Sequence, residues 1–338
     1  FDANEMYGDN YGYMSSLNKS MISHLKIKAL GLKKKYLLKN KNNILDIGSN
    51  DGTFLSFFSK NVNLFGCDPT IKKFSHLYRK DIKQLPFFFS SNLFTKNIKF
   101  NLITSISMFY DLPDPLDFAI QIQKILHDKG IWHIELSYMP MMIKNTSYDT
   151  ICHEHLEYYS LKSLKYLLDR ANLKIINLSF NQINGGSIAL DIAKKKSKHK
   201  ECKDLIQWVL ESEHLNRYNE VDKQKSFFKQ CENHKYLLKK LLQTLKKQKK
   251  KILGYGASTK GNVILQYCNI DSKILDNVAE VNKFKFDKFT PGSKIKIISE
   301  KKAKQKKPDY YLVLPWHFKD HIIKRENRFL KEGGKLIF

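Results

Sequence analysis

Short apolar runs closed by small polar residues alternate with helix-compatible stretches along the first part of the chain. Ile44 to Ile47 is such a run, closed by Gly48-Ser49-Asn50-Asp51-Gly52 and followed by the helix-like Thr53 to Ser59, which predicts strand, glycine loop and helix in succession. Further strands are predicted at Val62 to Cys67, Leu85 to Phe89, Asn101 to Ile106 and Ile131 to Leu136, with a helix-compatible stretch at Leu116 to His127. Strands alternating with helices imply an α/β fold with a doubly wound parallel sheet. Leu173 to Ser179 and Ser187 to Ala193 flank the turn sequence Asn181-Gln182-Ile183-Asn184-Gly185-Gly186, so a terminal antiparallel pair is expected.

Residues 1–20 show no period and read as an irregular lead-in, and a helix is expected from there to about Asn40. From about Lys194 to Lys249 the pattern is helical and highly charged. A second α/β unit then begins, with strands expected at Lys251 to Gly254, Ile274 to Ala279 and Tyr310 to Leu314. The expected division is a lead-in over 1–20 that contributes to the substrate site, a cofactor domain over 21–195, a charged helical connector over 196–249 and a smaller Rossmann-like domain over 250–338.

A chain of 338 residues, 42% hydrophobic, is long enough for two cores, and no apolar run approaches the roughly 20 residues that span a bilayer. A soluble, cytoplasmic protein without membrane association is expected. The five cysteines are widely spaced with no CxxC pair, which favours a reduced, metal-free chain. Phe1 is not an initiator Met, so a cut point within a longer protein is expected there. The net charge of +26 raises the question of nucleic acid. Much of it lies in Lys194 to Lys200 and Lys239 to Lys251, runs that read as solvated helix faces, and Lys outnumbers Arg, the better reader of bases. An anionic small substrate such as a diphosphate is served equally well.

Seven strands, parallel except for one at the end, is the layout of class I methyltransferases. Gly48 and Gly52 would let backbone approach a cofactor, Asp46 would order the loop or reach its amino acid portion, and Ser49 and Asn50 complete the cradle. Asp68, at the end of the second strand, is the expected ribose ligand. The GSNDG loop lacks the G-x-G-x-x-G spacing that admits a pyrophosphate, so S-adenosylmethionine is expected rather than a nicotinamide. Ser91 and Asn92 follow the third strand toward the adenine, and Ser107 and Met108 follow the fourth toward the reacting methyl. Phe109 and Tyr110 are equally well explained as core.

The densest polar cluster is Cys152-His153-Glu154-His155. Histidine can take a proton near neutral pH and an adjacent carboxylate can support it, so this is a candidate general base. H-E-H is not H-E-x-x-H, and neighbouring histidines on an extended segment point opposite ways, so no metal is expected. In the second unit, Gly254 to Asn262 (GYGASTKGN) follows a strand and opens a helix, and its amides with Lys260 and Asn262 can hold an anion, although the loop is not a Walker motif.

Together these residues resemble the nucleotide-sugar C-methyltransferase family, whose members methylate a carbon of a keto-deoxysugar carried on a nucleoside diphosphate. The likeness rests on Tyr7 to Met21, the cofactor loop, Ile151 to Ser160, Asn184 to Ile188, Gly254 to Asn262, Phe289 to Gly292 and Leu314 to Phe318. The resemblance implies an N-terminal zinc-binding segment ahead of Phe1, a central cofactor domain and a C-terminal Rossmann-like domain without its own dinucleotide. It also implies His155 as the base, supported by Glu154. Tyr7, Tyr11, Tyr13 or His153 would donate to the substrate carbonyl, Asn18 and Asn184-Gly185-Gly186 would line the substrate cleft, and Lys260 would meet the diphosphate. Cys152 stands where relatives can carry Tyr, and Tyr110-Asp111 where some carry His. Alternatives are an O- or N-methyltransferase on a small molecule or nucleic acid, and a non-catalytic nucleotide-binding protein of the same fold. Sugar, nucleotide, methylated carbon and oligomeric state are not specified by the sequence.

Overall fold

The structure is a computed structural model that describes residues 3–7 and 11–338. Chain contacts divide it into two compact units, the first formed by 1–139, 156–181 and 186–216, the second by 140–155, 182–185 and 217–338. Residues 1, 2 and 8–10 of the expected lead-in lie outside the described residues.

The first unit is built on a seven-stranded sheet in the order β3-β2-β1-β4-β5-β7-β6. The strands are β1 (Asn43–Ile47), β2 (Asn63–Cys67), β3 (Ile82–Leu85), β4 (Phe100–Ile106), β5 (Leu126–Ser137), β6 (Leu173–Asn181) and β7 (Ser187–Lys194). Strand β7 runs antiparallel to both its neighbours, and the others pair in parallel. This is the class I methyltransferase arrangement expected from the strand pattern. Strand β1 lies inside the sheet with Ile44 and Leu45 fully buried, which is why it reads as a continuous apolar run. Phe109 and Trp132 pack edge to face at 5.7 Å in the core, both inaccessible, so Phe109 is a packing residue.

The second unit carries a five-stranded sheet in the order β10-β9-β8-β11-β12, parallel throughout. Its strands are β8 (Ile252–Tyr255), β9 (Val278–Glu280), β10 (Ile297–Ser299), β11 (Tyr310–Val313) and β12 (Lys335–Ile337). Leu253, Ala279, Tyr311 and Val313 form its core with Ile322. Strands β10 and β12 have three residues each, too few to show an alternation, and the sequence pattern did not reveal them.

Four expectations need correction. The third strand ends at Leu85 instead of running to Phe89, because Phe87 and Phe88 are exposed and the backbone turns there with Phe87 N bonded to Leu85 O. The strand expected from Ile274 starts at Val278, since Ile274 and Leu275 close a turn on Asp271 O. The charged connector is not a single piece: the helix Lys203–Leu215 belongs to the first unit and Val221–Lys247 to the second. Residues 140–155, expected inside the cofactor domain, fold with the second unit. No helix among the described residues is long and apolar enough to cross a membrane.

Candidate active site

In the first unit, the β1 carboxyl end and the loop after it form a cradle locked by its own side chains. Gly48 has φ +74°, and a Cβ built on it would stand 2.9 Å from Cγ of Met108, so this position requires glycine for both conformation and space. The expected neighbours Ser107 and Met108 are thus brought to the loop, with Ser107 N bonded to Glu135 O at 2.7 Å. Tyr78, for which the sequence offers no signal, donates to Asn50 O at 2.9 Å and bonds Ser49 Oγ at 2.8 Å, fixing the loop from beneath.

Asp46 is 3% exposed and receives Thr104 Oγ1 at 2.6 Å. Burial, opposed by the Thr104 bond and reinforced by the Asp68 charge, pushes its pKa up to about 7. Among the described residues no ion pair reaches this carboxyl. A buried acid without a cation suits a cationic ligand, and S-adenosylmethionine carries both a sulfonium and an ammonium group. Asp68 accepts Asn50 N on Oδ2 at 2.8 Å and Thr70 N on Oδ1 at 2.7 Å, so the residue expected at the ribose also ties the two loops together. Ser91 and Asn92 lie in a short turn capped by Ser90, six residues beyond the end of β3, with Ser91 N bonded to Gln121 Oε1.

The lead-in is pinned onto this loop. Ser15 N donates to Asn50 Oδ1 at 3.0 Å, Ser16 N to Asp51 Oδ2 at 2.8 Å, and Asn50 Nδ2 to Tyr13 O at 3.1 Å. Tyr11 O accepts Lys73 Nζ, Tyr7 packs on Tyr11 at 5.3 Å, and Tyr7 OH donates to Asp111 Oδ2 at 2.9 Å. The Tyr7–Asp111 pairing spans 104 positions and has no local signal. Asn18 takes a local role: its Oδ1 caps the helix Lys19–Lys35 by accepting from Ser20 and Met21 N.

In the second unit, Cys152 to His155 forms a tight turn closed by His155 N to Cys152 O at 3.1 Å, which corrects the expectation of an extended segment. Cys152, Glu154 and His155 converge as a result, while His153 is exposed. Burial, with the Lys260 charge second, lowers the His155 pKa to about 4, so its imidazole is neutral at physiological pH. Burial raises Glu154, and burial lowers Lys260 against the opposing charges of Asp149, Cys152 and Glu154. Lys260 follows the cap Ser258 on the helix Thr259–Tyr267, whose first turn also carries Asn262, and its Nζ reaches Asn184 O at 3.4 Å. Gly185 has φ +86°, and a Cβ there would meet the Trp316 ring at 3.0 Å. Gly186 belongs to the first unit, where its carbonyl accepts Tyr138 N, so the expected Asn184-Gly185-Gly186 cluster is divided between the units.

Sequence reasoning singled out neither Asp149 nor Trp316 nor His317 as site residues. Asp149 Oδ2 accepts Trp316 Nε1 at 3.0 Å. His317 is lowered to about 3 by burial and then by the Lys260 charge, and its buried Nδ1 has no hydrogen-bond partner among the described residues. The motif Leu314 to Phe318 was the available signal.

Two family models match this chain: a methyltransferase domain over residues 21–178 and the C-methyltransferase C-terminal domain over 182–338. The C-methyltransferase NovU of Streptomyces niveus is 27% identical over 333 residues, covering 97% of this chain and 79% of NovU. Among solved structures, an S-adenosylmethionine-dependent methyltransferase from Clostridium acetobutylicum matches 51% of this chain and 92% of its own, with TM-score 0.42 and 11% identity. One from Aquifex aeolicus matches 53% and 98%, with TM-score 0.38 and 16% identity. Two adjoining domain models and a C-methyltransferase relative aligned over 97% of this chain support its reading as an S-adenosylmethionine-dependent C-methyltransferase.

Proposed function

We propose that this enzyme methylates a carbon next to the ketone of a keto-deoxysugar carried on a nucleoside diphosphate, with His155 as the base. The observation that carries this reading is the half-buried His155 of the second unit, held neutral by desolvation and by the charge of Lys260. A carbon α to a ketone must lose a proton to become nucleophilic, so the reaction needs a base at that C–H and donors at the carbonyl oxygen. S-adenosylmethionine supplies an electrophilic methyl group. His155 takes the proton, Glu154 supports the imidazolium that forms, and His153 donates to the oxygen.

Lys260 links substrate binding to basicity. Its charge is the second cause of the low His155 pKa, so a diphosphate that neutralises Lys260 returns His155 toward its ordinary value and makes it a better base once substrate is bound. Incubation with labelled S-adenosylmethionine and a panel of nucleotide-linked 4-keto sugars tests the substrate class. Label in none of the sugars, with transfer to a hydroxyl or amine acceptor instead, removes this reading.

Lys260→Met is expected to raise the KM for the nucleotide sugar by about 10–100-fold, the worth of a charge-assisted contact of roughly 1.5–3 kcal/mol. Inhibition by the free nucleoside diphosphate weakens in parallel. An unchanged KM and unchanged inhibition would place the diphosphate elsewhere.

Asp46 makes cofactor binding depend on pH. A cationic ligand favours the ionised carboxylate, so with a pKa near 7 in the free enzyme affinity rises as pH rises through that value, by up to about tenfold per unit below it. Calorimetry between about pH 6 and 8 should show this rise in the wild type and a flat profile in Asp46→Asn. Parallel profiles in the two proteins would show that another group is responsible.

A further inference from the structure

We propose that the turn at Cys152 is also a binding site for a zinc-class divalent cation, held by the Cys152 thiolate, a Glu154 carboxylate oxygen and a His155 ring nitrogen. Their ligand atoms all lie within 4.8 Å of one another. A tetrahedral ion with bonds of about 2.0–2.3 Å needs its ligands roughly 3.5 Å apart, so the three ligand atoms must draw closer together on binding. The convergence is local in origin, because the His155 N to Cys152 O bond folds positions 152, 154 and 155 to one side. All three residues are half-buried, so a hydrated ion can enter and then shed water.

The charge and the donor types agree with this. Lys260 lies within electrostatic reach of Asp149, Cys152 and Glu154, so its ammonium faces three acidic groups. The thiolate and the Glu154 carboxylate then balance a divalent ion. Binding breaks the S–H bond, the proton passes to solvent, and the sulfur lone pair forms the metal bond without any change in oxidation state. Sulfur and imidazole select zinc or cobalt over magnesium, which prefers oxygen and keeps its waters. Three protein ligands leave a fourth position for water. A metal on His155 occupies the lone pair that would take the substrate proton, so metal occupancy and turnover exclude each other; this consequence rests on the function proposed above.

Co²⁺ titration of the chelator-treated full chain is the test, because a thiolate ligand gives a charge-transfer absorption that does not depend on activity. One Co²⁺ per chain with that absorption is expected, displaced by Zn²⁺ and not by Mg²⁺. Cys152→Ser should abolish the band and weaken Zn²⁺ binding at least about tenfold. Cys202→Ser, which removes the other thiol that is not fully buried, should leave both unchanged. Circular dichroism confirms that both variants fold. Absence of the band, its survival in Cys152→Ser or its loss in Cys202→Ser overturns the site. If the site binds but the function proposed above is wrong, the cobalt band still depends on Cys152 while no sugar is methylated. Zn²⁺ inhibition equal in the wild type and Cys152→Ser overturns the link to turnover.

Discussion

His155→Ala is expected to leave S-adenosylmethionine binding unchanged and to lower turnover by about 10²–10⁴-fold, the usual worth of a positioned general base. The separation of effects follows from the chain's division. The loop residues Asp46 to Gly52 lie in the first unit and His155 in the second, so removal of the imidazole touches none of the hydrogen bonds that shape the loop. The size follows from the chemistry, because without a base the carbon acid must give its proton to water. Solvent exchange separates the proton step from methyl transfer. The wild type should exchange the substrate α-proton with deuterated water when the cofactor is replaced by its demethylated product, and the variant should not. Full turnover or undiminished exchange in His155→Ala would remove this residue as the base.

Glu135→Ala is expected to destabilise the protein by about 3–5 kcal/mol, the cost of leaving a buried charge without its partner. Glu135 is inaccessible and ion-paired to Lys28 at 2.7 Å, whose side chain is 12% exposed. It also bonds His24 Nε2 at 2.7 Å and Asn181 Nδ2 at 2.7 Å. Lys28 reaches His133 Nε2 at 3.2 Å, and His133 Nδ1 bonds Asp191 Oδ1 at 2.7 Å across the β5–β7 ladder. Asp191 in turn receives Lys35 and Tyr36. His24, Lys28 and Lys35, spaced by four and seven, share one side of the helix Lys19–Lys35, beside the buried stripe of Met21, Leu25, Ala29 and Leu32. Glu135 therefore anchors a charged seam between this helix and the sheet, and its loss leaves Lys28 buried beside neutral groups.

The pH dependence has a definite sign. Burial works to raise the Glu135 pKa, but the His24 bond and the Lys28 charge outweigh it and hold the group at about 2. A depressed carboxyl contributes stability that is complete above its unfolded value, near 4.3, and lost as pH falls through the folded value. The gap between the wild type and Glu135→Ala in urea unfolding should be widest at neutral pH and narrow steadily below about pH 4. A gap that does not change with pH would show that packing, and not charge, is what the residue supplies.

The expectations that held are those carried by short segments. The run from Ile44 to Gly52 is legible because a buried parallel strand is mostly apolar, here Ile44, Leu45 and Ile47 around Asp46, and ends where the backbone turns, at a glycine with positive φ. Asp68 at the end of β2, the antiparallel pair of β6 and β7, and the helix opening at Ser258 are read on the same basis, since period, cap and turn chemistry all act within a few residues. His155 was legible as a titratable group in a dense polar cluster, although the turn that brings it to Cys152 was not.

What the sequence by itself determined is therefore local: two α/β units, a glycine-bounded loop after the first strand and a dense polar cluster around His155. Only the tertiary structure decided which segments fold together. Residues 140–155 and 182–185 leave the unit that surrounds them in sequence, bringing Cys152, His155 and Asn184 into the same unit as Lys260 and Trp316. Tyr7 meets Asp111, and Glu135 meets Lys28, across more than a hundred positions. The physical reason is that periodicity and propensity report the free energy of a few neighbouring residues, whereas these partnerships are fixed by burial and by the need to neutralise buried charge, which depend on the whole packed chain.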